Sequence, residues 1–192
     1  INHIYLMNED GKISDLTPGE NEKASFAGWS KDKKSMYYIS NKRNPKFFDF
    51  YKMKVDTWKS EMLYQNDNGI NISDMSEDES WFSFSQTITT SENKLFLTNR
   101  IDKSTIELSV EPGSYSSSGF SNDNKYFFFI TDVGEEFSYL VKYEIETGKE
   151  EVLFQTNWDV MYSYLSENEK YRVTAVNEDG KNTLFIKNLI NN

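Results

Sequence analysis

A bulky apolar residue, then Ser, then any residue, then Asp or Asn recurs four times along the 192-residue chain. The segments are Gly28-Trp29-Ser30-Lys31-Asp32, Asp74-Met75-Ser76-Glu77-Asp78, Gly119-Phe120-Ser121-Asn122-Asp123 and Tyr164-Leu165-Ser166-Glu167-Asn168, so the serines are spaced by 46, 45 and 45 residues. Each is followed by an aromatic or apolar run: Met36 to Ile39, Trp81 to Phe84, Tyr126 to Ile130 and Tyr171 to Val173. A second marker keeps the same phase, with Asp10, Asp56, Asp102 and Glu146 in polar turns spaced by 46, 46 and 44 residues. Two markers in phase identify an internal repeat, which restricts the fold more than any local propensity does.

The unit is readable from its chemistry. Ser-x-Asp is turn chemistry, because short polar side chains capture nearby backbone amides and compete with regular structure. The apolar residue before it ends one strand and the aromatic run after it is the next. Lys54 to Thr57 and Glu144 to Lys149 mark a later turn between a third and a fourth strand. In the third unit Val141, Tyr143 and Ile145 alternate with Leu140, Lys142, Glu144 and Glu146, a period of two that predicts a strand with one buried face. Aromatics make up 16% of the chain and Ala occurs only at Ala24, Ala27 and Ala175, which favours strands over helices.

About four short strands in each repeat of about 45 residues is the blade length of a β-propeller. One such sheet cannot bury both faces, so neighbours must stack. A β-sandwich gives no reason for the period. The predicted fold is therefore all-β, a propeller of four-stranded antiparallel blades, partitioned as a partial blade at 1–23, blades at 24–69, 70–114 and 115–159, and a partial blade at 160–192. Strands are expected at Ile4 to Met7, Ile13 to Thr17 and Thr183 to Leu189. The chain reads as an excerpt of a larger ring, with a closed four-bladed ring as the alternative.

The formal net charge is −10, which disfavours a phosphate backbone and so excludes nucleic acid as the expected partner. Without cysteine there are no disulfides, thiolate chemistry or zinc ribbons. No stretch approaches 18 apolar residues, so no transmembrane segment is expected. The sequence opens at Ile1 rather than Met, as when a signal peptide, preceding domain or tag has been removed.

Candidate chemistry is sparse. His3 is the only histidine, and no Gly-x-Ser-x-Gly elbow exists, so no catalytic residue is assigned. His3 is expected on a surface strand. The Gly113-Ser-Tyr-Ser-Ser-Ser-Gly119 stretch reads as a connector between units. Asn66-Asp67-Asn68-Gly69 superficially resembles a calcium loop but lacks its spacing and reads as a plain turn. Asn8-Glu9-Asp10-Gly11-Lys12 and Asn177-Glu178-Asp179-Gly180-Lys181 repeat one pentapeptide and read as hairpin turns. No cofactor and no metal site is predicted. Trp29 and Trp81 are expected to pack between sheets. Trp58, in a turn where Gly148 stands two units later, is the candidate contact point for a partner.

The segment from Gly28 to Arg43 resembles the WD40-like (PD40-type) repeat of TolB-type propellers, in which a Trp-Ser-Pro-Asp-Gly-Lys core leads into a strand and then Ser-Asn-Arg. Phe50 to Thr57 looks like its third strand. The same propeller type forms the N-terminal domain of the prolyl oligopeptidase (S9) family of serine peptidases. The Pro of the motif is replaced by Lys31, Glu77, Asn122 and Glu167, and its Gly by Lys33, Glu79, Asn124 and Glu169. The resemblance implies a non-catalytic bacterial scaffold that binds a protein, peptide or small ligand through its loops, in the periplasm or outside the cell rather than in the cytoplasm. The alternative it implies is a gating propeller for a hydrolase domain outside this chain. A third reading is an enzyme with an acidic central-channel site built from Asp32, Asp78 and Asp123. The oligomeric state is left open.

Overall fold

The computed structural model describes residues 2–190, and these hold strands and turns without a helix. The chain divides into two compact units, one ending at Asn71 and one beginning at Ile72.

The first unit contains the hairpin β1 (Tyr5–Met7) and β2 (Ile13–Asp15), and an antiparallel sheet in the order β3 (Ala24–Trp29), β4 (Ser35–Ser40), β5 (Asp49–Lys54), β6 (Ser60–Tyr64). Its core is Ala24, Met36, Tyr38, Tyr51 and Met53, with Ile4, Leu16 and Trp58 packed against it. Tyr38 and Tyr51, paired across β4 and β5, stack at 5.1 Å between ring centroids, the cross-strand aromatic contact that stabilises a sheet face.

The second unit contains two four-stranded sheets, β7 (Asn71–Met75) to β10 (Thr105–Glu107) through β8 (Trp81–Thr87) and β9 (Asn93–Asn99), and β11 (Tyr115–Phe120) to β14 (Glu150–Phe154) through β12 (Tyr126–Thr131) and β13 (Tyr139–Glu144). A three-stranded sheet follows: β15 (Asp159–Leu165), β16 (Tyr171–Glu178), β17 (Lys181–Asn188). Leu95 and Leu97 of β9 meet Phe127, Phe129, Val141 and Tyr143 in one cluster. Phe128, Ile130 and Leu140 meet Val160 and Val176 in another. The sheet β11–β14 is thus covered on both faces, and the unbroken apolar run Phe127-Phe128-Phe129-Ile130 is the sequence such a strand requires. Leu140, grouped by its spacing with the polar face of β13, is instead fully buried on the second of these faces.

The four Ser-x-Asp/Asn segments fold identically. The Ser30 amide donates across the turn to the Ser35 carbonyl, and the Lys33 amide donates to the Ser30 carbonyl, both at 2.9 Å. The Ser30 hydroxyl donates to Asp32 at 2.7 Å and accepts the Ser35 amide at 2.9 Å, while Asp32 also accepts the Lys34 amide at 3.0 Å. The same three side-chain bonds recur around Ser76, Ser121 and Ser166. The turn demands a left-handed residue, and Lys33, Glu79, Asn124 and Glu169 supply it with φ of 58°, 61°, 57° and 53°. These are the positions where the motif's glycine has been lost, so the backbone kept the conformation after losing the residue that adopts it freely. A left-handed L-residue costs roughly 1–2 kcal/mol, of which glycine's greater freedom in the unfolded chain returns part. Lys33→Gly is accordingly expected to stabilise the protein by about 0.5–1 kcal/mol, read as a higher urea midpoint at unchanged slope; a lower midpoint would show that the turn carries no such strain.

The repeated pentapeptides are turns as expected. Asp179 and Gly180, with φ of 49° and 74°, join β16 to β17, and left-handed conformations at both central residues suit a tight hairpin. The Gly113–Gly119 stretch departs from expectation: all but its first two residues form β11, paired with β12. Ser and Gly have low strand propensity, but pairing to a buried neighbour and hydroxyl partners in adjoining sheets override it.

Candidate functional site

Asp32, Asp78 and Asp123 are satisfied within their own turns. Hydrogen bonds hold Asp32 below the ordinary carboxylate range, led by the Lys34 amide and the Ser30 hydroxyl. At Asp78 burial works upward, but bonds from Ser80 and Ser76 outweigh it; at Asp123 the Ser121 hydroxyl leads the lowering. Groups stabilised as anions are poor proton donors or acceptors near neutral pH, so the residues named for an acidic catalytic site are turn-builders.

Trp58 occupies the turn between β5 and β6 at φ 54°, matched by Lys103 at 64° and Gly148 at 72°. Its indole is half-buried against the first unit's core. Trp29 is half exposed, its ring 5.5 Å from Phe26, whereas Trp81 packs on the cluster shared by two sheets. His3 precedes β1 rather than lying in a strand; its Nδ1 sits 2.6 Å from Asp15 and its Nε2 3.1 Å from the Gly19 carbonyl. The Asn66–Gly69 segment is a turn closed by the Gly69 amide on the Asn66 side chain at 2.8 Å. Among the described residues no three His, Asp or Glu side chains converge as metal ligands.

The most unusual polar groups lie in the second unit, on adjoining sheets. Asp74 of β7 accepts the hydroxyl of Ser117 from β11, and Ser83 of β8 lies 3.4 Å from the same hydroxyl. Burial pushes the Asp74 carboxyl above its ordinary value, opposed by the Ser117 bond. Beyond it, Ser118 donates to the Ser163 carbonyl of β15. Arg172 of β16, buried, donates to the Ser163 hydroxyl at 3.2 Å and lies 3.9 Å over the Phe128 ring. Desolvation pulls the Arg172 guanidinium down to about 10, with the Glu169 charge acting the other way. These residues form a polar seam across three sheets. Both Asp74 and Arg172 break the repeat: Asp74 stands where Gly28 and Gly119 stand, and Arg172 where Met36, Phe82 and Phe127 stand.

Because the folded-state value of Asp74 is raised, the folded protein holds that proton more tightly than the unfolded chain does. Stability is then full at low pH and falls as pH rises from the unfolded value through the folded one. Asp74→Asn is expected to raise the urea midpoint at pH 7 and to lose that advantage below the ordinary value of 3.8; an equal gain at both pH values would refute the assignment.

The sequence model of the dipeptidyl peptidase IV (DPP IV) N-terminal region matches residues 1–98. The chain belongs to this family. No curated protein matches it by sequence. Among solved structures, TolB from Acinetobacter baumannii resembles it with a TM-score of 0.70 at 16% identity, over 97% of this chain and 46% of that one. The putative TolB from Agrobacterium tumefaciens follows at 0.66 and 14%, over 93% and 62%. A structure from a study of two prolyl endopeptidases gives 0.65 and 16%, over 94% and 29%. The chain thus spans less than two thirds of each. The fold of this DPP IV N-terminal-region chain is a TolB-like β-propeller fold, and its antiparallel sheets are blades. Among the described residues no helix is long and apolar enough to cross a membrane.

Proposed function

We propose that the chain is a non-catalytic part of the N-terminal propeller of a prolyl oligopeptidase-type serine peptidase, with blades at 24–69, 70–114 and 115–159, which admits peptide to a hydrolase domain carried elsewhere in the polypeptide. The family match over residues 1–98 carries this reading. The chain's own chemistry agrees with it: the only histidine is engaged by Asp15 and Gly19, and the turn aspartates are locked as anions. A second reading, a stand-alone scaffold in the periplasm or outside the cell that binds a protein or small ligand through its loops, Trp58 among the contacts, is favoured by the TolB likeness over 97% of the chain. The intact mass of the native gene product separates them. A mass above 22.5 kDa by about a hydrolase domain supports the peptidase reading; a product no longer than a closed ring, without that domain, removes it and leaves the scaffold.

A further inference from the structure

The chain's negative charge is unevenly held. The first 71 residues carry eleven Lys and Arg against ten Asp and Glu, and the remainder ten against twenty-one. Within the first unit Lys31, Lys33, Lys34, Lys52, Lys54 and Lys59, six of its ten lysines, gather at one end of the sheet β3–β6, where the turn after β3 meets the turn after β5 through a hydrogen bond from the Val55 amide to the Lys34 carbonyl at 2.9 Å. Two adjoining hollows lie there. One of about 720 Å³ is lined by Lys33, Lys34, Lys52 and Lys54 with Asp32 and Asp56; the other, of about 320 Å³, by Lys52, Lys54 and Lys59 with Asp56 and Glu61.

The repeat supplies an internal control, because the other two four-stranded sheets build the same two turns with the same backbone hydrogen bonds. Residues 31–34 and 54–59 together carry a net charge of +3, whereas 77–80 and 99–104 carry −2 and 122–125 with 144–149 carry −1. Lys33 stands where Glu79 and Glu169 stand, and Lys54 where Glu144 stands. The side chains of Lys33, Lys54 and Lys59 make no hydrogen bond or ion pair among the described residues, while in the second unit Lys94, Lys125 and Lys142 are paired with Glu107, Asp123 and Glu151. Asp32 does not neutralise the cluster fully, since one of its oxygens already holds its own turn. Like charges held together repel, and an opposite charge laid between them relieves that repulsion.

We propose that this lysine-lined end of the first four-stranded sheet is a docking surface for an acidic peptide segment of a partner protein. The residues lining the hollows are mostly charged, with no aromatic side chain and Val55 as the one hydrophobic residue, whereas small-ligand sites are lined predominantly by hydrophobic and aromatic side chains. A nucleic acid carries its charge continuously along its length and meets the repulsion of a chain of net charge −10, whereas a short acidic segment needs no more than the lysines at this end of one sheet. The proposal rests on the protein-binding part of the function above. The mass measurement decides what the propeller accompanies and the titration below decides only this surface, so the two fail separately.

The test is a fluorescence-anisotropy titration of the chain against a labelled octaglutamate peptide. Binding is expected at low salt and should weaken toward physiological salt, as exposed charge pairs are screened over about 8–10 Å. K33E/K54E installs residues that the repeat already tolerates at these positions, so its fold should be retained, and it should bind about tenfold more weakly or worse. Lys59→Ser, which matches Ser104, should give a smaller loss in the same direction. K125E/K170E, on the second unit, should bind as the unmodified chain does. Absence of binding at low salt, equal binding by K33E/K54E, an equal loss in K125E/K170E, or a single-stranded oligonucleotide binding as tightly as the peptide would each overturn the proposal.

Discussion

Phe127→Ala is expected to cost about 3–5 kcal/mol, the range for deleting a fully buried aromatic whose cavity cannot collapse. Phe127 has no exposed surface and sits in the cluster where β9 meets β12 and β13. Its ring is 4.7 Å from Phe120, tilted by 54°, and 6.5 Å from Phe129. Both neighbours belong to the same sheet, while Leu95 and Leu97 come from the one before it. The side chain therefore holds two sheets together as well as filling one. Since domain stability is typically about 5–15 kcal/mol, a loss of this size removes a large share of it. Phe185→Ala provides the comparison: that ring is 40% exposed and touches Phe154 at 4.9 Å, and its removal should cost about 1 kcal/mol or less. Urea unfolding monitored by far-UV circular dichroism measures both. Equal losses would mean that the contact between the two sheets contributes nothing specific.

The turns were legible because they are local. Ser, x and Asp close a hydrogen-bonded loop from side chains two positions apart, so the spacing and the residue types carry the whole instruction. The left-handed residue is equally local, adopted within the same turn by Lys33, Glu79, Asn124 and Glu169. Gly113–Gly119 was misread for the opposite reason. Its serines form a strand only because β12 lies alongside and because Asp74 and the Ser163 carbonyl, 43 and 45 positions away, take the Ser117 and Ser118 hydroxyls. Leu140 was assigned to the wrong face because strand alternation predicts one buried side, and here a second sheet covers the other. Asp74 and Arg172 have no local signature, since their burial arises from neighbouring sheets. What the sequence offers for such residues is a break in the repeat: a carboxylate in a glycine position, a guanidinium in an aromatic one.

The Ser-Asn-Arg end of the repeat predicts the second large effect. Ser40 ends β4, Asn41 and Arg43 follow it, and Arg43 forks onto Asp49 with Nε at 2.7 Å and Nη2 at 2.9 Å. Arg43 also donates to the Asn66 carbonyl at 2.8 Å, and the Asn66 amide donates back to Asp49 at 2.8 Å. The Tyr51 hydroxyl completes the set at 3.2 Å. Asp49 is wholly buried, so it joins the start of β5 to the segment leaving β6. Asp49→Ala should cost about 3–5 kcal/mol, because it leaves a backbone amide, a hydroxyl and a guanidinium without their acceptor. Asp49→Asn keeps one acceptor oxygen and should cost less. The pH dependence distinguishes charge from shape. Burial works to raise the Asp49 value, but Arg43, the Asn66 amide and Tyr51 outweigh it and leave it below 3.8. With the folded value depressed, the charge contributes fully above the unfolded value of about 3.9 and is lost as pH falls through the folded one. The stability difference between the native chain and Asp49→Asn should therefore be constant from pH 7 to about 5 and shrink below about 4. A difference that stays constant into strong acid would mean that Asp49 acts by its shape and hydrogen bonds alone, with no contribution from its charge.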